Sequence, residues 1–125
     1  MPDTPPTILV ADDDDDIRAF ITIKLEHAHM CVLGAKDGLE ALSILDSGRP
    51  DLGVIDVTMP GMSGLDVVRK TRACGASQDI PIILLTARTQ QSDVDEGYAA
   101  GATAYITKPF SPQDLLLRIN TILGL

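Results

Sequence analysis

The sequence predicts an α/β fold: a doubly wound five-stranded parallel sheet, (βα)5, with helices on both faces. Two observations predict it. Short apolar runs alternate with stretches of helical periodicity through the chain, and strict alternation builds a parallel sheet. Most runs are apolar at consecutive positions rather than at every second one. That is how a strand reads when both faces of its sheet are covered.

The first run is Thr7 to Ala11, and a helix follows with Ile17, Phe20, Ile21, Leu25 and Ala28 on its apolar stripe. The second run, Cys31 to Ala35, leads into a helix marked by Leu39, Leu42 and Leu45. The third, Leu52 to Ile55, leads into one marked by Leu65, Val68 and Thr71. After the fourth run, Pro81 to Leu85, the helix near Gln90 to Ala100 is the weakest, with little beyond Val94 and Tyr98 to hold it. Its internal Gly97 costs about 1 kcal/mol relative to Ala. The last run, Ala104 to Ile106, precedes a helix carrying Leu115, Leu116, Ile119, Ile122 and Leu123. Ser111 is its expected N-cap and Pro112 its first helical residue.

At 125 residues the chain fits one domain. Residues 1–6, with Pro2, Pro5 and Pro6, read as a loose tail, and 7–125 as a single domain. Hydrophobic residues are 45% and aromatic residues 3%, so the core is expected to be aliphatic. Ten basic residues face 18 acidic ones, a net charge of −8. That balance excludes unaided binding to nucleic acid or anionic lipid. The N-terminus has no signal-peptide pattern, and no apolar run approaches the ~20 residues a bilayer requires. Cys31 and Cys74 fit no metal spacing and read as reduced packing thiols of a cytoplasmic protein. His27 and His29 are two apart, so they point to different faces of a helix and do not form a zinc site.

Ligand sites of such sheets lie at the carboxyl ends of the strands. There the sequence places Asp12 and Asp13 after the first strand, Asp56 after the third, Thr86 at the fourth and Lys108-Pro109 after the fifth. Carboxylates packed together raise each other's pKa unless a cation neutralises them. An oxygen-only ligand set suits Mg²⁺ or Mn²⁺. A carboxylate can also attack phosphorus and form an aspartyl-phosphate, with a metal and a lysine neutralising the developing charge. Asp14, Asp15 and Asp16 are better explained as acids at a helix N-terminus, each stabilising by roughly 0.3–1 kcal/mol.

These residues resemble the receiver domain of two-component response regulators, similar in extent to the stand-alone chemotaxis type. The resemblance is carried by Ile8 to Arg18, Pro50 to Arg69, Ile80 to Ala87 and Gly101 to Ile119, in family order and spacing. It implies a flavodoxin-like strand order, 2-1-3-4-5. It also implies that Asp56 is the phosphoacceptor and that Asp13, Asp56 and the Thr58 backbone carbonyl ligate Mg²⁺ directly, Asp12 acting largely through water. Lys108, next to a cis Pro109, would pair with the phosphoryl oxygens and Asp56, and Thr86 would hydrogen-bond the phosphoryl group. Tyr105 matches the switch aromatic. Thr58 and Arg88 stand where the family tunes phosphoryl lifetime.

The implied function is a signalling switch rather than a conventional enzyme, phosphorylated by a sensor histidine kinase, a phosphotransfer protein or a small donor such as acetyl phosphate. The implied readout face is the fourth helix, fifth strand and fifth helix, directed to an output domain or target protein. The stretch from Leu85 to Ile119 is very similar to the OmpR/PhoB class, whose receivers dimerise through that face. Here Thr103, Ala104 and Gln113 replace part of that class's charge network while Arg88, Asp93 and Arg118 remain, leaving a phosphorylation-driven homodimer open. The chain ends just after the fifth helix, so it reads either as a single-domain regulator or as part of a longer one.

Three rival readings fit less well. A haloacid-dehalogenase-like phosphatase shares the Asp nucleophile and Mg²⁺, but Asp13-x-Asp15 is a loose match to its motif and the later acidic motif is missing. A calcium loop starting at Asp12 fails where Ile17 replaces the required Gly and Ile23 the required Glu. A receiver that binds partners without phosphorylation is disfavoured because all five key positions are filled.

Overall fold

The computed structural model describes residues 4–73, 78–87 and 90–125. Five strands and five helices alternate: β1 Thr7–Ala11, α1 Asp15–His27, β2 Cys31–Ala35, α2 Gly38–Asp46, β3 Leu52–Asp56, α3 Gly64–Ala73, β4 Ile82–Thr86, α4 Gln91–Ala100, β5 Ala104–Thr107 and α5 Pro112–Leu123. The strands form one parallel sheet in the order β2-β1-β3-β4-β5. The order reverses direction between β1 and β3, so the strand ends Ala11 and Asp56 flank a crevice.

Side chains alternate across a strand, so a consecutive apolar run feeds two cores at once. Ile8, Val10, Leu52, Val54, Ile83 and Leu85 pack on one face with Ile21 and Leu25 of α1 and Leu115 and Ile119 of α5. Leu9, Ala11, Ile55, Ile82 and Leu84 pack on the other with Ala41 and Leu45 of α2, Val67 and Val68 of α3 and Ala100 of α4. β3 and β4 are buried along their full length. The edge strand β2 is not: Cys31 and Gly34 are exposed, and only Ala35 is buried.

Three local expectations need correcting. Phe20 and Leu39, assigned to core-facing stripes, are 45% and 65% exposed. Each lies at the margin of its stripe, where Ile21 on α1 and Ala41 on α2 take the inward positions. Cys31 is an exposed thiol rather than a packing residue, because the edge position leaves its side uncovered. Cys74 and residues 1–3 of the N-terminal tail lie outside the described residues.

The caps explain where helices begin. Asp14 caps α1 by accepting from the backbone N–H groups of Asp16 and Ile17 at 2.9 and 3.1 Å. Asp37 caps α2 through the Glu40 N–H at 2.8 Å, and Ser111 caps α5 with Pro112 in its first turn. α4 is anchored unevenly. Its N-cap, Gln90, makes no side-chain capping bond. At its other end Gly101 takes a left-handed φ of 113°, and its carbonyl accepts from Arg72 Nε at 2.9 Å. Arg72 Nη1 also donates to the carbonyls of Gln78 and Ile80, at 3.1 and 2.6 Å. Burial lowers the pKa of this guanidinium below its ordinary value.

Candidate functional site

Every described residue singled out at the strand ends lies at the same rim of the sheet. β1 ends at Ala11, and the next residue, Asp12, is fully buried. Its N–H still donates to the Ala35 carbonyl at 3.1 Å, as if the strand continued. Its Oδ1 accepts from the Asp14 N–H at 2.9 Å and its Oδ2 from Lys108 Nζ at 3.2 Å. Asp13 is exposed beside it. Asp56 is the last residue of β3 and is also buried. Its Oδ1 accepts from the Thr58 N–H and its Oδ2 from Lys108 Nζ, both at 3.3 Å.

Backbone packing aims these groups. Gly64 opens α3 so close to the end of β3 that an added Cβ would collide with the Asp56 carbonyl oxygen. Its N–H donates to the Val57 carbonyl at 2.8 Å, closing the turn that holds Thr58 and Met59. Thr86 is buried at the end of β4, and its carbonyl accepts from the Lys108 N–H at 2.7 Å. The Lys108–Pro109 peptide is cis.

Electrostatically the described residues of the site form an acidic cluster with the Lys108 ammonium inside it. Burial raises the Asp56 pKa above the ordinary carboxylate value and the Asp12 charge adds to it, while Lys108 and the Thr58 N–H offset part of the effect. Burial alone would lower the Lys108 pKa, but Asp56 and Asp12 outweigh it and hold the ammonium above its ordinary value. Oxygens of Asp12, Asp13 and Asp56 lie within 4.8 Å of one another. This donor set, all oxygen and short of positive charge, fits a hard divalent cation such as Mg²⁺.

Tyr105 is buried on β5, its ring 6.4 Å from that of Tyr98 and packed over Gly97. A Cβ at Gly97 would stand 2.7 Å from Tyr105 Cδ2. Sequence periodicity treats Gly97 as a helix weakness; its role as a seat for the ring is visible only in three dimensions. Arg88 lies outside the described residues. Arg18, whose side chain reaches the Asp12 carbonyl, is a residue that sequence reasoning misses. Its signal is faint: an Arg three residues after Asp15 on one helix face.

The family profile of the response regulator receiver domain matches residues 8–120. The chain belongs to the response regulator receiver domain family. It is 38% identical over 117 residues to the phosphate regulon transcriptional regulatory protein PhoB of Pseudomonas aeruginosa, a match covering 94% of this chain and 51% of that protein. This receiver spans about half the length of the curated relatives it matches. A crystal structure of a putative response regulator from Chloroflexus aurantiacus superimposes with a TM-score of 0.91 at 35% identity, covering 98% of this chain and all of that one. The receiver domain of the sensor histidine kinase PA1611 from Pseudomonas aeruginosa, solved with magnesium coordinated in its active-site cleft, gives 0.89 at 27% identity, covering 98% and 100%. As a member of this family the chain is a phosphoacceptor module of two-component signalling, a regulatory domain. No helix among the described residues is long and apolar enough to cross a membrane.

Proposed function

We propose that Asp56 is the residue phosphorylated and that residues 7–125 act as one receiver unit behind a short N-terminal tail. The observation that carries this is the meeting of Asp12, Asp13, Asp56 and Lys108 at one rim, Lys108 Nζ standing 3.2 and 3.3 Å from two different carboxylates. A carboxylate oxygen of Asp56 attacks the donor phosphorus while the bond to the phosphohistidine nitrogen or acetyl oxygen breaks, and the leaving group takes the electron pair. The raised basicity of a buried carboxylate favours that attack. Lys108, already charged and aimed at Asp56, stabilises the equatorial oxygens. Thr86 offers its hydroxyl to the same group. Water later attacks phosphorus and returns Asp56 and inorganic phosphate, at a rate that Thr58 and Arg88 tune if the family resemblance of those two positions holds.

Asp13, Asp56 and the Thr58 carbonyl would hold Mg²⁺ or Mn²⁺, with Asp12 acting largely through water. The metal supplies charge neutralisation on the transferring phosphoryl group. Magnesium in the cleft of the PA1611 receiver supports this assignment. The phosphoryl donor is a sensor histidine kinase, a phosphotransfer protein or a small acyl phosphate, and the setting is the cytoplasm.

Phosphorylation shifts a population between two arrangements of Thr86, Tyr105 and α4, read at the α4-β5-α5 face. The reader of that face is an output domain, a target protein or a second copy of the chain. The name of the PhoB relative supports a transcriptional output for the whole regulator. Direct contact of this acidic receiver with nucleic acid or membrane does not fit its charge. The deciding experiment is intact mass after treatment with acetyl phosphate and Mg²⁺. Wild type gains one phosphoryl group and Asp56→Asn gains none; an equal adduct on both sinks the assignment.

A further inference from the structure

We propose that Arg18 is a positioning residue for the metal site: its guanidinium fixes the backbone at Asp12, and through it the direction of Asp13. The inference rests on the reading of Asp12, Asp13 and Asp56 as the Mg²⁺ site. Arg18 makes three contacts, to the loop after β1, to the first turn of its own helix and to β2. Nη1 donates to the Asp12 carbonyl at 2.7 Å. Nη2 pairs with Asp15 in the first turn of α1. The aliphatic stem lies over Gly34 of β2, where a Cβ would stand 3.6 Å from Arg18 Cδ.

The Asp12 carbonyl is the first beyond the end of β1, and Arg18 supplies it with a charged donor. The same residue is held by Ala35 through its N–H, by the Asp14 N–H at Oδ1 and by Lys108 at Oδ2. With its carbonyl held too, the Asp12–Asp13 peptide plane has little freedom. That plane sets the direction in which Asp13 leaves the chain. Asp13 is exposed and in no described hydrogen bond, so its aim depends on the backbone beneath it.

The alternative is that Arg18 acts only through its charge, and the two roles have opposite signs. A cation near a metal site repels the metal, so a pure charge effect makes Arg18→Ala bind Mg²⁺ more tightly. Loss of positioning makes it bind more weakly, by about tenfold, the low end for groups that orient metal ligands. Arg18→Lys keeps the charge and most of the stem but not the rigid fork that spans Asp12 and Asp15. It therefore weakens binding as well.

The test is Mg²⁺ titration followed by calorimetry and by thermal shift, on wild type, Arg18→Ala, Arg18→Lys and Asp13→Asn. Positioning predicts a raised Mg²⁺ dissociation constant in both Arg18 variants. Phosphorylation by acetyl phosphate then slows at limiting Mg²⁺ and recovers at saturating Mg²⁺. A purely structural role lowers the melting temperature and leaves the dissociation constant unchanged. Arg18→Ala binding as tightly as wild type, or more tightly, overturns the proposal. If the Ala variant does not fold, the milder Lys variant decides, and wild-type affinity there overturns the proposal equally. Absence of Mg²⁺ binding by wild type overturns instead the metal-site reading on which it rests.

Discussion

Asp56→Asn should stabilise the protein without Mg²⁺ and destabilise it, relative to wild type, with Mg²⁺. The side chain is buried, 3.3 Å from Lys108 Nζ and within 4.8 Å of oxygens of Asp12 and Asp13. At an effective dielectric of about 20, attraction at the Lys108 separation is about 5 kcal/mol and each repulsion about 3.5 kcal/mol. Asp13 is exposed, so its share is largely screened. Attraction then exceeds the Asp12 repulsion by only about 1.5 kcal/mol, and desolvation, several kcal/mol for a buried ion and the leading cause of the raised Asp56 pKa, tips the sum. A neutral isostere should gain about 1–2 kcal/mol, or roughly 3–8 °C in melting temperature for a domain of this size. Saturating Mg²⁺, at about 100 times its dissociation constant, adds about 2.7 kcal/mol to wild type. A variant lacking this ligand keeps little of that gain, so the two melting curves exchange order. The sign with pH is also fixed. A carboxylate whose folded pKa is raised binds its proton more tightly when folded, so the Asp56 contribution to wild-type stability without Mg²⁺ becomes more favourable as pH falls through that pKa. The gap to Asp56→Asn should therefore narrow in weak acid. The assay is differential scanning fluorimetry in EDTA and in Mg²⁺ across pH. A variant less stable than wild type in EDTA refutes the electrostatic reasoning.

Four further outcomes are expected. Gly64→Ala should cost more than about 3 kcal/mol by urea unfolding and abolish phosphoryl uptake, because its Cβ would collide with the Asp56 carbonyl oxygen; near-wild-type stability excludes the close approach. Gly97→Ala gains about 1 kcal/mol of helix propensity but overpacks Tyr105 by about 1–3 kcal/mol. The Tyr105 ring resonances should move in NMR spectra, and an unchanged ring contradicts this packing. Arg72→Ala should lose about 2 kcal/mol, since it frees the carbonyls of Gly101, Gln78 and Ile80, and hydrogen exchange should rise at Gly101 and Ala102. Asp13→Asn should reduce the thermal shift produced by millimolar Mg²⁺ while changing stability in EDTA by less than about 0.5 kcal/mol, because the residue is exposed.

The α/β order was legible because each apolar side chain of β1, β3 and β4 has a core to enter. Ile8 and Leu9, or Ile83 and Leu84, occupy opposite faces, and the consecutive apolar pattern records that. The converging strand ends were legible for a related reason: a charged residue directly after a buried strand has only the rim to occupy. What periodicity misassigned was marginal. Phe20 and Leu39 share a stripe with buried neighbours, yet a few tens of degrees around the helix separate a core position from an exposed one. Arg18 and Gly97 were illegible because their work depends on partners in other elements, Gly34 in one case and Tyr105 in the other. No local pattern encodes such a meeting.

The unequal anchoring of α4 has a mechanical meaning. Ten residues make a rod about 15 Å long. Arg72 holds its Gly101 end, whereas the N-cap Gln90 makes no side-chain capping bond. A rod fixed at one end has a pivot, and a tilt of about 10° carries its loose end roughly 2.6 Å while the pinned end stays in place. The loose end is the one that follows β4, whose last residue is Thr86. On the proposed switch, a displacement at the strand end would therefore meet the end of α4 that lacks a side-chain cap. On that reading surfaces near Gly101 would act as the fulcrum, and a partner that discriminates the two proposed arrangements should grip the first turns of α4 rather than its last.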